Sequence, residues 1–273
     1  MTLIEAVSQV AIRTAKQVLL PYFELQCGIK PSQQNEQQAL TIDIKSDGSW
    51  LTQADTKAHQ MLTEELVKLV DCPVLSEEMS AQEQQAILDK SGDYWCIDPL
   101  DGTSNFTQGI PYWCMSIALI QKGQMQLGVI YDPCRDECFS ASSEHKTCIN
   151  GRELATSDKH ELKNAMGLID FKRLDAAKAG ALAVNPPYRS QRSFGSSALD
   201  LCWIAADRCQ VYLHGKQKLW DHAAGLLILS QAGGKAETFA GEVVFSNDLM
   251  PKSVIAASNA SMMQRWKDYF RTF

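Results

Sequence analysis

Apolar residues recur at three- and four-residue spacing from Leu3 through Ile4, Val7, Val10, Ala11 and Val18 to Leu19, which predicts an amphipathic first helix ending near Pro21. Glu5, Arg13 and Lys16 interrupt this run, so it reads neither as a signal peptide nor as a membrane span. The polar, glutamine-rich stretch 30–40 reads as a loop, either a connector or a lid. Ile42 and Ile44 then alternate with polar residues, Ser46 to Gly48 signals a turn, and "SWLT" resumes extended chain. Asp55 opens a second helical pattern through Met61, Leu62, Leu66, Leu69 and Val70. "CPVLSEEMS" predicts a short strand ending at Glu77 and Glu78, and "YWCIDPL" predicts another. "WCMSIALIQKGQMQLGVIYDP" reads as two long strands around Lys122 and Gly123, with "ECFSASS" as a further strand.

From about residue 165 the pattern changes to strand and helix in alternation. "AMGLID", "CQVYLHG" and "SVIAAS" predict strands, while "SALDLCWIAAD" and "DHAAGLLILSQAGG" predict helices. Stacked α/β layers fit this order better than one barrel. The division expected is an N-terminal α+β part over 1–155 and a C-terminal α/β part over 156–273.

Composition changes this picture little. The chain has 273 residues, 45% hydrophobic and 21% charged, which suits a globular protein with a large core. A formal net charge of −6 argues against a protein built to grip nucleic acid or an anionic membrane. No apolar stretch reaches membrane-crossing length, so the cytoplasm is the default location. The nine cysteines are odd in number and scattered, which suits reduced core thiols; Cys134 and Cys138 resemble half a zinc site, but no second pair matches them.

The chemistry starts at "DPLDGTSNF", residues 98–106. Two carboxylates, Asp98 and Asp101, stand at the end of an apolar strand, where bare charge is costly. Pro99 cannot donate a ladder hydrogen bond and biases Asp98 away from helix, so the strand is expected to end at Asp98. Gly102 permits a tight path into a short helix, whose amides at Gly102, Thr103 and Ser104 would suit a phosphate. Two carboxylates beside an anion site conflict unless a cation lies between them, and magnesium takes such hard oxygen ligands. Two further acids follow the same placement: Glu77 ends a strand, and Asp221 stands where an N-cap is expected for an apolar helix. Taken singly, each acid also has a structural reading, as a turn cap, a solvated surface group or a helix cap. Four at the mouths of buried elements point to a metal centre. The spacing Asp-x-x-Asp-Gly-Thr differs from the Asp-x-Asp-Gly-Thr of aspartyl-phosphate enzymes and puts Pro99 at the nucleophile position, so no covalent aspartyl-phosphate is expected. P-loop, Rossmann and Gly-x-Ser-x-Gly patterns are missing from the sequence.

"DPLDGTSNF", with "SEE" upstream and "LWDHAAGLLILSQAGG" downstream, resembles the inositol monophosphatase family of magnesium-dependent, lithium-sensitive phosphatases. The resemblance extends to "KSDGSWLTQADTKA", "ALIQKGQMQLGVIYDP" and "FGSSALDLCWIAAD". It implies a five-layer αβαβα sandwich, a cytoplasmic homodimer and two to three Mg2+ ions, with Mn2+ as a substitute and Ca2+ and Li+ inhibitory. It implies that Glu77, Asp98 and the carbonyl of Leu100 hold one ion, that Asp98, Asp101 and Asp221 hold a second, and that a weaker third sits near Glu77 and Asp55. Thr103, with Glu77 and Asp55, would activate water for direct in-line attack on phosphorus. Gly102, Thr103 and Ser104 would hold the phosphate.

The leaving group is less defined. Family members act on inositol phosphates, histidinol phosphate, fructose bisphosphate, adenosine 3′,5′-bisphosphate or NADP. Where inositol-selective members carry Gly-Thr-Ala and a glutamate, this chain has Gly195, Ser196, Ser197 and His214. His214 with Lys216 and Lys218 suits a leaving group with a second negative charge, and otherwise reads as a loop histidine; Arg192 is a further candidate contact. Asn105, in contrast, matches the inositol branch. The expectation is a phosphomonoesterase acting on a small phosphorylated alcohol, with a 3′(2′),5′-bisphosphate nucleotidase or a histidinol phosphatase as alternatives. Direct nucleic-acid or membrane binding is not expected. An alternative of another class is a regulatory partner of RNA or transcription machinery, acting through protein contacts.

Overall fold

A computed structural model describes residues 1–28, 42–44, 50–90, 92–157 and 161–271. The glutamine-rich stretch and the Ser46–Gly48 turn signal lie outside these residues.

The chain begins with α1 (Leu3–Thr14), closed at its start by a capping box between Thr2 and Glu5. It does not stop at Pro21. Five π-helical residues, Ala15–Leu19, lead into α2 (Leu20–Gln26), with the Leu20 amide bonded to the Ala15 carbonyl. That widened turn restarts the helix so that Pro21 falls in a first turn, where its missing N–H costs nothing. The short strands β1 (Ile42–Ile44) and β2 (Trp50–Thr52) pair antiparallel, and Thr52 caps α3 (Gln53–Leu69).

Next come β3 (Val74–Ser76), α4 (Ala81–Lys90), β4 (Tyr94–Asp101), the short α5 (Thr103–Thr107), β5 (Cys114–Gln121), β6 (Gln124–Asp132), β7 (Glu137–Ser142), β8 (Cys148–Ile149) and β9 (Arg152–Glu153). Strands β3 to β9 form one seven-stranded sheet in sequence order, parallel between β3 and β4 and antiparallel elsewhere. The second sheet is built from β10 (Met166–Ile169), β11 (Ser190–Arg192), β12 (Val211–Gln217), β13 (Lys235–Glu237) and β14 (Lys252–Ala257), in the order β11-β10-β12-β14-β13. Its helices are α6 (Ala176–Val184), α7 (Ser197–Ala205), α8 (Leu219–Gln231) and α9 (Ala260–Phe270).

Three cores define five layers. Val10, Leu62 and Leu66 of α1 and α3 pack on Trp95, Ile97 and Val129 of the first sheet. The opposite face of that sheet, through Tyr94, Cys96 and Ala118, meets Leu201 and Leu227 of α7 and α8, which also bury Leu168 and Tyr212 of the second sheet. The far face of the second sheet, through Ile169, Leu213 and Ile255, closes against Leu182 of α6 and Trp266 of α9. The order is therefore helix, sheet, helix, sheet, helix: an αβαβα sandwich with α7 and α8 at its centre. The period-2 burial of each strand onto two different cores fixes which side chains face that central layer.

All nine cysteines are free thiols; Cys96, Cys114, Cys138, Cys202 and Cys209 are buried.

Candidate active site

Strand β4 carries the acids, and its end differs from expectation. It runs through Pro99 to Asp101 instead of stopping at Asp98. Asp98 pairs with Ser116 and Asp101 with Cys114, so three steps on β4 face two on β5. The extra residue is a β-bulge, which absorbs a proline that cannot donate to the ladder. Without the bulge, residues three apart would point to opposite faces. With it, Asp98 and Asp101 both face the central helix layer, while Leu100 between them is buried in the outer core. The three-residue spacing thus delivers two carboxylates to one place.

The turn that follows depends on Gly102. Its φ of 97° is left-handed, and a Cβ there would lie 3.2 Å from the Tyr112 carbonyl and from Trp113 Cβ. Beneath it, Phe106 and Trp113 are fully buried and meet edge-on at 4.9 Å. Asn105 ties this turn to the second half of the chain, donating to the Tyr112 carbonyl at 2.7 Å and to the Phe194 carbonyl at 2.6 Å.

The other acids are placed by their elements. Because β3 runs parallel to β4, Glu77 follows directly beside Asp98, its amide bonded to the Ile97 carbonyl at 3.2 Å. Asp221 is the third residue of α8 and not its N-cap; its carboxylate accepts from the Lys218 amide at 2.8 Å. Ser116 Oγ donates to the Trp220 carbonyl at 3.2 Å, which fastens the start of α8 to the strand opposite Asp98. Asp55 is the third residue of α3, with Oδ2 accepting from the amide of Thr52 at 2.8 Å and from its hydroxyl. Thr103 donates its hydroxyl to the Leu100 carbonyl at 3.1 Å.

Electrostatics mark Asp98, Asp101 and Asp221 as strained. Burial pushes Asp98 well above the ordinary carboxylate range, and Glu77, Asp101 and Asp221 push it further. Burial does the same to Asp221, with Asp101 and Glu77 adding to it. Burial raises Asp101 only to about 6, because Ser196 Oγ at 2.8 Å and the Ala198 amide at 2.7 Å both donate to its Oδ2. Asp98 is 1% exposed; its Oδ1 accepts from the Leu100 amide at 3.0 Å, whereas its buried Oδ2 has no donor. Among the described residues no three His, Cys, Asp or Glu side chains close on one ion as they stand. The carboxylates are turned toward backbone and side-chain donors instead. The donor set nonetheless fits a hard cation: several acids repel one another in a buried place, and no protein N–H reaches the buried Oδ2 of Asp98. Neighbouring His222 does not add a ligand of that kind; burial lowers it to about 4 and keeps its imidazole neutral.

Of the residues singled out for the leaving group, Gly195 has φ +85° and lies against the Asn105 side chain. Ser196 is buried and turned to Asp101, and Ser197 opens α7. Arg192 is exposed and donates to Ser190 Oγ at 2.8 Å. His214 is not a loop histidine: it is 9% exposed on β12, with Nε2 3.1 Å from Asp170 Oδ2. Sequence reasoning missed Asp170 and also Asp200, which accepts from Tyr112 Oη at 2.7 Å and is pushed up to about 8 by burial. "GLID", another apolar run ending in an acid, was the available signal for Asp170.

An αβαβα sandwich that brings Asp98 and Asp101 from a strand end, Glu77 from the neighbouring strand and Asp221 from a helix start toward one central layer has the architecture of a carboxylate-lined site. The chain belongs to the inositol monophosphatase family, whose sequence model matches residues 2–271. It is 33% identical to Nus factor SuhB of Xylella fastidiosa over 213 residues, covering 76% of this chain and 75% of that protein. It is also 33% identical to the inositol-1-monophosphatase of Mesorhizobium japonicum over 230 residues, 82% of this chain and 84% of that one. The crystal structure of extragenic suppressor protein suhB from Bartonella henselae superposes with a TM-score of 0.79 at 28% identity, over 97% of this chain and 96% of that chain.

Proposed function

We propose that the chain is a magnesium-dependent phosphomonoesterase that hydrolyses a small phosphorylated alcohol. The observation that carries this reading is Asp98: a fully buried carboxylate with one oxygen lacking a donor and three further acids raising its proton affinity. Glu77, Asp98 and the Leu100 carbonyl would hold one ion, Asp98, Asp101 and Asp221 a second, and Glu77 with Asp55 a weaker third. When bound, magnesium offsets the repulsion among these acids, neutralises phosphoryl charge and lowers the pKa of water.

The chain's own groups do the rest. The amides of Gly102, Thr103 and Ser104 open a helix and have no intrahelical acceptor, so they would receive phosphoryl oxygens. Thr103 Oγ1 gives its proton to the Leu100 carbonyl, which leaves its lone pairs for the attacking water. Glu77 and Asp55 would take the proton that water loses. The water oxygen bonds to phosphorus as the ester bond on the opposite side breaks, and the alkoxide takes a proton from solvent water and leaves as an alcohol.

The test is phosphate release with magnesium across inositol 1-phosphate, adenosine 3′,5′-bisphosphate, histidinol phosphate, fructose 1,6-bisphosphate and NADP, each with and without lithium. Release that chelation abolishes and lithium lowers is expected. Asp98→Asn should cut turnover by several orders of magnitude in a folded protein; retained turnover would sink the assignment. The name of the Xylella relative, a Nus factor, favours a second reading in which the chain acts through contacts with transcription machinery. A catalytically dead allele that rescues a deletion strain would favour that reading.

A further inference from the structure

We propose that Asp170, held in place by His214, reads the leaving group, accepting hydrogen bonds from the hydroxyls of a polyol and disfavouring a leaving group that carries a second phosphate. This rests on the phosphomonoesterase reading and names the substrate class of that same site.

Sheet register puts the two residues together. Strands β10 and β12 are parallel, with Leu168 opposite Tyr212 and Ile169 opposite Leu213. One step further come Asp170 and His214, and the Asp170 amide donates to the Leu213 carbonyl at 3.0 Å. Ile169 and Leu213 are buried in the outer core, whereas Leu168 and Tyr212 face α7 and α8. Alternation therefore turns Asp170 and His214 to the central layer, where Asp101 and Asp221 also lie. Strand β10 has β11 on one side and β12 on the other, so its carboxyl end is a point where the strand order reverses. Ligands of open α/β sheets bind outside the carboxyl ends of strands at such points.

The hydrogen bonds then assign roles. His214 Nδ1 accepts from the Lys216 amide at 3.2 Å, so that nitrogen carries no proton. The other ring nitrogen, Nε2, faces the carboxylate and donates to Asp170 Oδ2 at 3.1 Å. Both ring nitrogens are engaged within the protein, and the histidine is no receptor for an anion. Asp170 is the accessible member of the pair, with 27% of its side chain exposed against 11% for His214. Its Oδ1 accepts from the Lys172 amide at 3.0 Å, which leaves carboxylate lone pairs for a ligand. Burial opposes its ionisation, but His214, first through its hydrogen bond, and then the Arg173 charge hold it below the usual range. Arg173 acts on Asp221 as well, so Asp170 and the metal-binding acids share one electrostatic neighbourhood. The adjoining turn is pinned over β12 at Gly215, where a Cβ would lie 1.6 Å from the Arg173 carbonyl oxygen. A fixed carboxylate suits vicinal hydroxyls and repels a second phosphate, the reverse of what the histidine and two lysines suggest in sequence.

The test compares wild type with Asp170→Asn, His214→Ala and His214→Gln on inositol 1-phosphate, p-nitrophenyl phosphate and adenosine 3′,5′-bisphosphate. Loss of a charge-assisted bond should raise KM for inositol 1-phosphate about tenfold or more in Asp170→Asn. Hydrolysis of p-nitrophenyl phosphate, whose leaving group has no aliphatic hydroxyl, should be unchanged, and the gap to the bisphosphate should narrow. His214→Ala should behave likewise, and His214→Gln, which keeps a donor for Oδ2, should restore KM. An unchanged KM, or an equal loss on all three substrates, overturns the proposal. Should Asp170→Asn not fold, the contrast between the two His214 variants carries the same test. If wild type hydrolyses none of the three, calorimetric titration with inositol 1-phosphate and magnesium separates the two readings. Binding that Asp170→Asn weakens upholds Asp170 while catalysis fails; absent or equal binding overturns it.

Discussion

Ser196 stands at the N-cap of α7, yet its hydroxyl makes no cap bond and donates instead to Asp101. The Ala198 amide joins it on the same oxygen, so Asp101 caps α7 from a different sheet. Both bonds go to Oδ2, which leaves Oδ1 for a cation. Removing one donor should loosen that orientation and raise the proton affinity of Asp101 further. Ser196→Ala is therefore expected to weaken magnesium by about 10- to 100-fold, the usual cost of losing a partner behind a metal ligand. The magnesium dependence of phosphate release and of thermal unfolding would measure it, and an unchanged dependence would refute it. This coupling was not legible in sequence, because residues 101 and 196 meet only through the fold. Asp98 and Asp101 were legible because an apolar run ending in two acids breaks a cost rule. Asp170 ends a similar run, but its meaning depends on a register with β12, more than forty residues away.

Elements show the same division. Strands with clean alternation or long apolar runs, such as β5 and β6, match the sequence pattern around Lys122 and Gly123. Elements bent by one residue do not. Pro21 predicts a stop, and a π-helical turn carries the helix past it; Pro99 predicts a strand end, and a bulge carries the strand past it. In both places an irregularity costs less than abandoning the buried face that continues beyond it. Gly215 is a third such point, within the irregular pairing of β12 and β14 between His214 and Gln217. Gly215→Ala puts a methyl group into backbone, not into a side chain that could rotate away. A loss of about 1–3 kcal/mol is expected from such overpacking, together with displacement of the Asp170 turn. Chemical denaturation should read the first. A rise in KM for inositol 1-phosphate larger than the change in kcat should read the second, and a variant as stable as wild type would contradict the close approach.

At the scale of the whole molecule the proposed site lies on the seam between the two sheets. Glu77, Asp98 and Asp101 come from one sheet, Asp170 and His214 from the other, and Asp221 from a central helix. Asp200 of α7 is buried in that same layer, pushed up to about 8 although Tyr112 donates to it. In the unfolded chain its value returns to the ordinary aspartate 3.8. Between these values the folded chain holds a proton that the unfolded chain has released, so stability should fall as pH rises across that window. Below it both states are protonated and nothing is lost; above it both are ionised and the cost of the buried charge is complete. Asparagine accepts from Tyr112 but does not titrate. With magnesium in excess, so that the acids proposed to bind it do not contribute, the thermal midpoint of wild type should fall between pH 5 and pH 8.5 by at least about 2 °C more than that of Asp200→Asn. Parallel curves would mean that Asp200 is already ionised in the fold, with a counter-charge reaching it through the seam between the sheets.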